Sequence, residues 1–577
     1  MKPIDLQMEG TRQGAMEVAR NRMIIVMALF AVGFLTLSVK LISIGVFQDP
    51  GGYVFQADIP KDPLLMARAD IVDRNGVVLA TNLKTPSLAA NPHGLETPPE
   101  ELASRITLIL PGLDYDEILK KLTSKRRHIW IKRTLTPKQM YEINRIGDPG
   151  LVFSDAEKRI YPHGRLVSHV LGSVDIDNKS NSGVEAYFNE RLVDPLRSEE
   201  TLVLSIDIKL QHILNQELTA YMDKFSSSGA AGVVLDAKTG EILALSSLPD
   251  FDPNETSGPQ TANQMNRVLN GVYELGSGFK TFTIASGLEN KVVKLSGGYD
   301  ASKPVRVGGY TIHDDHAKNR WLNVPEIFVY SSNIGTLKMA QDIGVERQKE
   351  FFESLGLFRK TDVEVFEKGQ PLLPYQWGPT ELATTAYGHG IAVTPLHLAN
   401  GVAAMVNGGR LNPATLIRKD VTQDGGVTSV SLDGLEEKQA TQVISKNTSE
   451  IMRNLLHLVV EYGTGRSAKV DGYLIGGKTG TAIKAADKND GFRGYKKSVI
   501  SSFVSTFPIN DPQYVVFAML DEPNGIKETY NMVSGGWTAA PLVGDIIRRI
   551  GPLMGIEPVK KDKIEYEELM LVSGTKE

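Results

Sequence analysis

The chain has 577 residues, with 68 acidic and 63 basic side chains and a formal net charge of −5. This length predicts about two to four domains with ample material for a large core. The small negative charge excludes a general attraction to nucleic acid, and no long basic run offsets it. Because the chain contains no cysteine, a disulfide framework and a thiolate metal site are excluded as well.

The first long apolar run, at residues 23–39, reads MIIVMALFAVGFLTLSV without a charged side chain. Its 17 residues would extend roughly 26 Å as a helix, near the lower limit for a bilayer core. A cleaved signal peptide usually ends in small residues, whereas QDPGG follows here. Three arginines precede the run (Arg12, Arg20 and Arg22), and residues 41–60 contain neither Lys nor Arg. We therefore predict an uncleaved anchor with a cytoplasmic N-terminus and the rest of the chain outside.

Two patterns follow the anchor. Residues 68–80 place two β-branched runs around Asn75-Gly76, which predicts a hairpin. From Pro98 to Ile146 the pattern is helical, interrupted by a basic stretch from Lys120 to Arg133. We interpret this stretch as a solvated face rather than a contact with a membrane or a partner.

A change of composition near residue 205 predicts the start of another domain. Its predicted elements are an amphipathic helix at 208–225, strands at 229–236, 241–247, 474–475, 498–507 and 514–520, a mainly helical section to about residue 410, and a last helix at 539–554. This order predicts an α+β fold, in which a helical insertion separates two groups of strands. The sheet is then made from both ends of the domain.

An activated serine is predicted in the segment Glu-Leu-Gly-Ser-Gly-Phe-Lys at residues 274–280. Ser277 precedes an apolar run at 279–288 that suits a buried helix, and Lys280 lies one turn further along the same face. This spacing places a base beside a nucleophile. Because the reference pKa of lysine is roughly 10.4, the base must lose its charge through burial or a second nearby cation. The hypothesis therefore requires another lysine across the pocket.

Two later motifs complete the predicted site, Ser331-Ser332-Asn333 and Lys478-Thr479-Gly480-Thr481. Lys478 supplies the second cation, in a strand along which an extended peptide can pair by its backbone. We expect Ser331 to relay a proton and Asn333 to bind a substrate amide.

Each short motif also recurs in a context that explains it otherwise. The repeats are Ser573-Gly574-Thr575-Lys576 in the polar tail, Lys238-Thr239-Gly240 in a hairpin turn, and Ser445-Lys446-Asn447 at the start of a helix predicted at 451–460. When these recurrences are set aside, one ordered set of motifs remains, at residues 277–280, 331–333 and 478–480.

The ordered motifs S-x-x-K, S-x-N and K-T-G resemble the signature of the penicilloyl-serine transferases. Ser331 follows Ser277 by 54 residues and Lys478 follows Ser331 by 147, spacings similar to that family. The resemblance covers nearly the entire chain and is greatest to the class B penicillin-binding proteins, among them the division-specific D,D-transpeptidases of the FtsI type. Ala69, where this family usually has glycine, and Gly278, where threonine is frequent, depart from its pattern without removing a reacting group.

The resemblance implies an α+β fold with an N-terminal membrane anchor, an elongated pedestal and a penicillin-binding/β-lactamase-like transpeptidase domain. The last of these has an antiparallel sheet flanked by helices and a helical subdomain. The expected boundaries are a cytoplasmic tail at 1–22, a transmembrane helix at 23–45, a periplasmic, dimerisation-like pedestal at 50–204, the transpeptidase domain at 205–558 and a flexible tail at 559–577. The protein is expected to cross the bacterial inner membrane once.

The resemblance also implies a reaction. Ser277 attacks the penultimate D-alanine carbonyl of a peptidoglycan stem peptide and Lys280 takes its proton, with Ser331, Asn333 and Lys478 as the other catalytic residues. An amine of a second stem then resolves the acyl-enzyme, whereas β-lactams acylate Ser277 and stay bound. Substrate binding is expected at Thr479, Gly480 and Thr481, and the oxyanion is expected at the backbone N–H groups of Ser277 and Thr481. No cofactor or metal is implied.

Other polar groups receive simpler interpretations. The cluster His313-Asp314-Asp315-His316 offers metal-binding side chains, but we favour a polar loop before Trp321. His389 is expected to be structural or to line the pocket, since serine-lysine chemistry already has a base. Arg68 and Glu185 are expected to fix the packing of the first domain.

Several alternative functions remain at this point. A β-lactamase would need a residue that activates water for deacylation. A D,D-carboxypeptidase would differ from a transpeptidase only in the acceptor, which is water rather than an amine. An elongation-type transpeptidase usually has an acidic residue where Asn333 stands. In a β-lactam sensor or a division scaffold, the motifs would bind a ligand without catalysing a reaction. Partners implied by the resemblance are glycan strands derived from lipid II, β-lactams, an FtsW-type glycosyltransferase, and other division proteins contacting residues 50–200.

Overall fold

The computed structural model describes residues 18, 20–38, 68–255, 262–421, 427–429, 439–485 and 495–559. Helix α1 (Arg20–Ser38) is 19 residues long and, by length and composition, apolar enough to cross a membrane. Its large apolar side chains are exposed. The rest of the predicted transmembrane segment and the S-x-x-K repeat in the tail lie outside the described residues.

The N-terminal region (residues 68–204) is built on a five-stranded sheet. Its strands are β1 (Ile71–Val72), β2 (Val78–Ala90), β3 (Ile129–Lys132), β4 (Leu151–Ile160) and β5 (Leu202–Val203). The long strand β2 pairs antiparallel with β1, β3 and β4, and β5 lies parallel to β1. Gly76, at φ +84° in the turn between β1 and β2, has the left-handed conformation that glycine adopts readily. The predicted hairpin is confirmed.

The helices of this region form two groups that pack at opposite ends of β2. They are α2 (Pro99–Ile109), α3 (Tyr115–Leu122), α4 (Pro137–Asn144), α5 (Ser168–Leu171), α6 (Gly183–Tyr187) and α7 (Asn189–Leu192). Leu102 and Ile106 of α2 lie four residues apart, on one helix face, and pack with Leu88 of β2 in a common core. The predicted helical pattern is confirmed, and the basic stretch within it contains the strand β3.

A buried ionic cluster joins the segments of this region. Arg68 Nε donates to Glu185 Oε2 at 3.0 Å, and Arg159 Nε donates to Glu185 Oε1 at 2.7 Å. The side chains of all three residues are 0% exposed. Burial and the charge of Glu185 raise the pKa of Tyr161, whose hydroxyl also donates to this carboxylate. The expected packing role of Arg68 and Glu185 is confirmed.

The C-terminal region (residues 205–559) begins with helix α8 (Ile208–Lys224) and the strand pair β6 (Gly229–Asp236) and β7 (Ile242–Leu248). A long insertion follows. Its helices are α9 (Lys280–Glu289), α10 (Val324–Val329), α11 (Asn333–Ile343), α12 (Val345–Ser354), α13 (Pro379–Thr385), α14 (Pro395–Val406) and α15 (Lys446–Tyr462). Its short antiparallel pairs are β8 (Gly298–Asp300) with β11 (Trp321–Asn323), β9 (Val305–Val307) with β10 (Tyr310–Ile312), β12 (Arg410–Leu411) with β15 (Thr441–Gln442), and β13 (Lys419–Val421) with β14 (Val427–Ser429).

Strands β16 (Gly476–Ala485), β17 (Tyr495–Phe507) and β18 (Tyr514–Asp521) then complete an antiparallel sheet, before helix α16 (Ala539–Leu553). The strand order is β16-β17-β18-β6-β7, which confirms a sheet made from both ends of this region. The strand predicted at 474–475 instead begins at Gly476. Pairing with β17 fixes its position, and the small residues that follow Gly476 carry little strand signal of their own.

The central strand β18 is buried on both faces. Val515, Phe517 and Met519 contribute to the core shared with the helical insertion, whereas Val516 and Ala518 contribute to a second core with α8 and α16. Successive side chains of a strand point to opposite faces, so a continuous apolar run is needed to fill both cores. The outer strand β16 is therefore held against a rigid support.

We predict that Glu185→Ala destabilises the N-terminal region by about 3–5 kcal/mol, because two arginines lose their buried counter-ion. Hydrogen exchange of the β4 amides, measured by mass spectrometry, reports the opening free energy. Glu101→Ala is the control, since it removes a carboxylate from an exposed pair with Arg105 and should change stability by about 0.3–0.5 kcal/mol. Equal exchange in the two variants would contradict a structural role for the cluster.

Candidate active site

Ser277 lies in a 3₁₀ turn, Gly276–Phe279, that leads directly into helix α9. The predicted helix start is therefore confirmed to within one residue. The backbone amide of Lys280 donates to the carbonyl of Ser277, so the two residues are one turn apart. Ser277 is half-buried, whereas Lys280 is fully buried. The ring of Phe279 packs edge-to-face on Phe352 and attaches the turn to the core.

The buried Lys280 side chain is directed at the Ser331–Asn333 turn. Its Nζ donates to the Ser331 carbonyl at 2.5 Å, to Ser331 Oγ at 3.1 Å and to Asn333 Oδ1 at 2.6 Å. Burial lowers the pKa of Lys280 to about 7, although the charges of Asp314 and Asp315 act in the opposite direction. A substantial fraction of this amine is therefore neutral near pH 7, as a base requires.

Lys478 approaches the same hydroxyl from strand β16. Its Nζ donates to Ser331 Oγ at 2.9 Å, and its side chain is fully buried. Burial and the charge of Lys280 lower the pKa of Lys478 well below its ordinary value. Electrostatic interaction is reciprocal, so each amine disfavours the charge of the other. The second lysine that the sequence analysis required is in place, with Ser331 Oγ between the two nitrogens.

The hydroxyl of Ser277 makes no hydrogen bond to any residue that the structure describes. Lys280 Nζ instead contacts three oxygen atoms of Ser331 and Asn333, which stabilise a buried ammonium. Catalytic hydrogen bonds are often long in unliganded enzymes and shorten when the substrate binds. The structure thus places Ser277 and Lys280 one turn apart, with no hydrogen bond between their side chains.

Ser331 itself has an unusual backbone. It joins α10 to α11 with φ +58°, a left-handed conformation that is strained for a residue with a side chain. This conformation lets one residue offer both its carbonyl and its hydroxyl to Lys280. Such strain persists only where the surroundings hold the residue in place, and it is concentrated at functional sites.

The acidic segment before Trp321 contacts this turn. Asp314 accepts hydrogen bonds from the Ser332 hydroxyl and from the Ile334 amide, and the His313 carbonyl accepts one from Asn333 Nδ2. Both ends of the Asn333 amide, which we expected to bind substrate, are thus engaged within the protein.

Among the described residues, no His, Cys, Asp and Glu group is suited to hold a metal. The capping role of Asp314 was not predicted, because nothing in the local sequence distinguishes this residue from its polar neighbours.

The outer strand β16 carries the remaining predicted residues. Thr479 Oγ1 is hydrogen-bonded to Thr464 Oγ1 at 2.8 Å, and Thr481 Oγ1 accepts from the Gly535 amide at 3.0 Å. An outer strand pairs on one edge only and presents unpaired backbone groups on the other. Thr464 was not predicted, since it follows the end of α15 in a short Gly-Thr-Gly run that has no periodic pattern.

Close backbone packing brings β16 to the Ser277 turn. A Cβ on Gly276, at φ +53°, would lie 2.3 Å from the Thr481 carbonyl oxygen. A Cβ on Gly388 would lie 2.1 Å from the carbonyl oxygen of Gly276. The next residue, His389, is hydrogen-bonded through Nδ1 to Glu274 at 3.1 Å. Side chains at the two glycines would therefore separate the three segments, and His389 has the structural surroundings that we expected.

The repeated motifs are explained by the structure where it describes them. The Ser445 hydroxyl accepts from the Thr448 amide and caps α15, and Gly240 has φ +79° in the turn between β6 and β7. These contacts are the local ones that helix caps and turns require.

Comparison with known proteins gives two family matches. A model of the penicillin-binding protein transpeptidase domain matches residues 230–548, and one of the penicillin-binding protein dimerisation domain matches residues 64–193. The chain is 36% identical over 504 residues to the probable peptidoglycan D,D-transpeptidase FtsI of Caulobacter vibrioides, covering 85% of this chain and 82% of that protein. It is 31% identical over 589 residues to stage V sporulation protein D of Bacillus subtilis, covering 95% and 88%.

Solved structures share the fold. Penicillin binding protein 3 of Mycobacterium tuberculosis, complexed with aztreonam, superimposes with a TM-score of 0.66 at 24% identity, over 86% of this chain and 97% of that chain. A peptidoglycan synthetase of Bifidobacterium adolescentis gives 0.66 at 23% identity, with the same coverage. The two family matches and the identity to the relatives from Caulobacter vibrioides and Bacillus subtilis show that the chain belongs to the class B penicillin-binding proteins, as a peptidoglycan D,D-transpeptidase of the FtsI type.

Proposed function

We propose that the chain cross-links peptidoglycan stem peptides during cell division and that Ser277 forms the acyl-enzyme. The observation that carries the proposal is the convergence of two buried lysines on Ser331 Oγ, at 3.1 and 2.9 Å. Burial lowers the pKa of both amines. Lys280 lies one turn from Ser277, and Lys478 lies on the outer strand β16. The name of the FtsI relative supports division rather than elongation.

In the first step, neutral Lys280 takes the Ser277 proton as Oγ attacks the penultimate D-alanine carbonyl. A bond forms between Ser277 Oγ and the carbonyl carbon. The carbon–nitrogen bond to the terminal D-alanine then breaks, and the leaving amine receives a proton through Ser331, whose hydroxyl contacts both lysines. Asn333 keeps Lys280 in place by accepting its hydrogen bond. In the second step, an amine of a neighbouring stem attacks the ester by the same route in reverse.

We propose that the extended substrate lies along β16. Lys478 and the hydroxyls of Thr479 and Thr481 hold its carboxylate, with Gly480 between them. A Cβ on Gly480 would lie 2.5 Å from the carbonyl oxygen of Leu275, which supports a role for this glycine in holding β16 against the turn. The same proximity supports an oxyanion site between the backbone N–H groups of Ser277 and Thr481.

The proposed topology places residues 1–22 in the cytoplasm and a single span at 23–45. The pedestal at 50–204 and the transpeptidase domain at 205–558 would lie in the periplasm. Helix α1 and the arginines at its N-terminal end support this orientation. We further propose an FtsW-type glycosyltransferase and other division proteins as partners and β-lactams as inhibitors. These assignments rest on family resemblance.

Labelling with a fluorescent penicillin tests the nucleophile. We predict that Ser277→Ala forms no covalent adduct, because the attacking oxygen is gone. The control is Ser445→Ala, which removes an exposed cap residue in one of the repeated motifs and should label like wild type. Equal labelling of Ser277→Ala and wild type would refute the proposed site.

The rate of acylation should depend on the protonation of Lys280. This lysine accepts a proton only when neutral, so the rate should rise with pH through a midpoint of about 7. The Asp315 carboxylate raises the pKa of Lys280, so Asp315→Asn should move the midpoint to lower pH. Stopped-flow acylation over a pH series measures it, and a midpoint that stays fixed or moves upward would contradict the assignment.

Close packing between the Ser277 turn and β16 should also be essential. Gly276→Ala puts a methyl group against the Thr481 carbonyl, and the displaced oxyanion donors should slow acylation by about 100-fold. Gly344→Ala is a matched control, since Gly344 has φ +85° but nothing within 4 Å of an added Cβ. It should acylate at the wild-type rate. Similar rates for the two variants would show that the packing is dispensable.

A further inference from the structure

The N-terminal region carries a dense group of positive charges. Residues 118–141 contain eight Lys or Arg side chains and no Asp or Glu, in a chain whose net charge is −5. The cations lie on the last turn of α3, the turn that follows it, strand β3 and the start of α4. These elements are neighbours, because Ile118 of α3, Ile131 of β3 and Ile143 of α4 share one core. The fold therefore gathers the charges on one part of the surface.

Only two of these eight cations have a carboxylate partner in the described part of the chain. Lys121 pairs with Glu117 at 2.7 Å, and Arg133 pairs with Asp177. The other six make no ion pair and no side-chain hydrogen bond with any residue that the structure describes. We call these six the basic surface: Lys120, Lys125, Arg126, Arg127, Lys132 and Lys138. All but Lys132 are exposed, so their charges face solvent without being neutralised.

The turn at the centre of the basic surface is held in place by its own hydrogen bonds. The His93 ring donates through Nε2 to the Lys125 carbonyl at 3.0 Å, and the Arg126 amide donates to Ser124 Oγ at 3.3 Å. The three successive cations at residues 125–127 therefore extend from a fixed backbone. Because like charges that are close together repel, this arrangement is unfavourable for the protein alone. An anionic ligand would relieve the repulsion.

The form of the basic surface favours a polymer with many carboxylates over a single small anion. Water and salt screen the attraction between one exposed cation and one carboxylate, so a single contact contributes little. The six cations are spread over four successive segments of the chain. A ligand that repeats its negative charge can contact several of them at once, and the contacts then reinforce one another.

Peptidoglycan has this chemistry, and the chain belongs to a family of peptidoglycan transpeptidases. Each uncross-linked stem peptide ends in a carboxylate, and the glycan strand repeats the stem along its length. We propose that the basic surface binds stem-peptide carboxylates and holds one part of the polymer while another part reacts at Ser277. This inference rests on the proposed function. Two contacts with one polymer raise the effective concentration of stems at the active site.

Sedimentation with purified, protein-free peptidoglycan sacculi tests the proposal on the full-length protein, held in nanodiscs of uncharged lipid. The active site is first blocked with a fluorescent penicillin, so that pelleted protein reports binding elsewhere. Wild type is compared with a triple variant, Lys125→Gln, Arg126→Gln and Arg127→Gln. We expect the amount of sacculi that pellets half of the protein to rise about tenfold in the variant, because half of the basic surface is neutralised. Added salt should weaken the binding of wild type.

The matched control is the triple variant Lys291→Gln, Lys360→Gln and Lys446→Gln. It removes the same total charge from exposed lysines of the C-terminal region and should bind sacculi like wild type. A second comparison changes the ligand instead of the protein. Sacculi whose carboxylates have been converted to neutral amides should bind wild type about tenfold more weakly than untreated sacculi. This comparison decides the question even if the variant of the basic surface does not fold.

Three results would overturn the proposal: unchanged binding in the variant of the basic surface, an equal loss in the control variant, or full binding of wild type to amidated sacculi. Vesicles containing phosphatidylglycerol test a membrane as the alternative anionic partner. If the variant loses binding to these vesicles but keeps binding to sacculi, the basic surface contacts lipid and the proposal is wrong. Covalent penicillin labelling in the same samples reports separately on the proposed function. A lack of labelling would count against Ser277 and leave the sedimentation result unaffected.

Discussion

The burial of two lysine side chains against one hydroxyl is the constraint on which the active site depends. An ammonium away from water is strongly destabilised unless it finds acceptors or loses its proton. The carbonyl and hydroxyl of Ser331 and the amide oxygen of Asn333 supply acceptors for Lys280, and its pKa still falls to about 7. The same burial that opposes the charge produces a base that works near neutral pH.

The surrounding fold keeps these groups in position. The Ser277 turn is attached to the helical insertion through Phe279, and Lys478 extends from a sheet whose two faces are covered by separate cores. Glycines at positions 276 and 388 let the backbones meet more closely than side chains permit. Electrostatic stabilisation of a transition state needs donors that do not move during the reaction, and this packing provides a rigid frame for them.

Sequence patterns predicted the elements with strong periodicity and the residues with a motif. Helix α8, strands β6 and β18 and the sheet built from both ends of the region follow from apolar patterns, and the order of the motifs selected Ser277, Lys280 and Lys478 from several repeats. The start of β16 was missed because its small residues depend on pairing with β17. Ser331's left-handed backbone and the contacts of Asp314 and Thr464 arise between segments distant in the chain. No local pattern encodes them.

Lys280 has lost much of its charge at neutral pH because it is buried. The most direct measurement is an NMR titration of protein carrying ¹³C-labelled lysine, with the Lys280 signal assigned by its absence from Lys280→Met. We expect a pKa of about 7 for this side chain. A value near the ordinary 10.5 would show that Lys280 stays protonated at neutral pH and would contradict its role as the base.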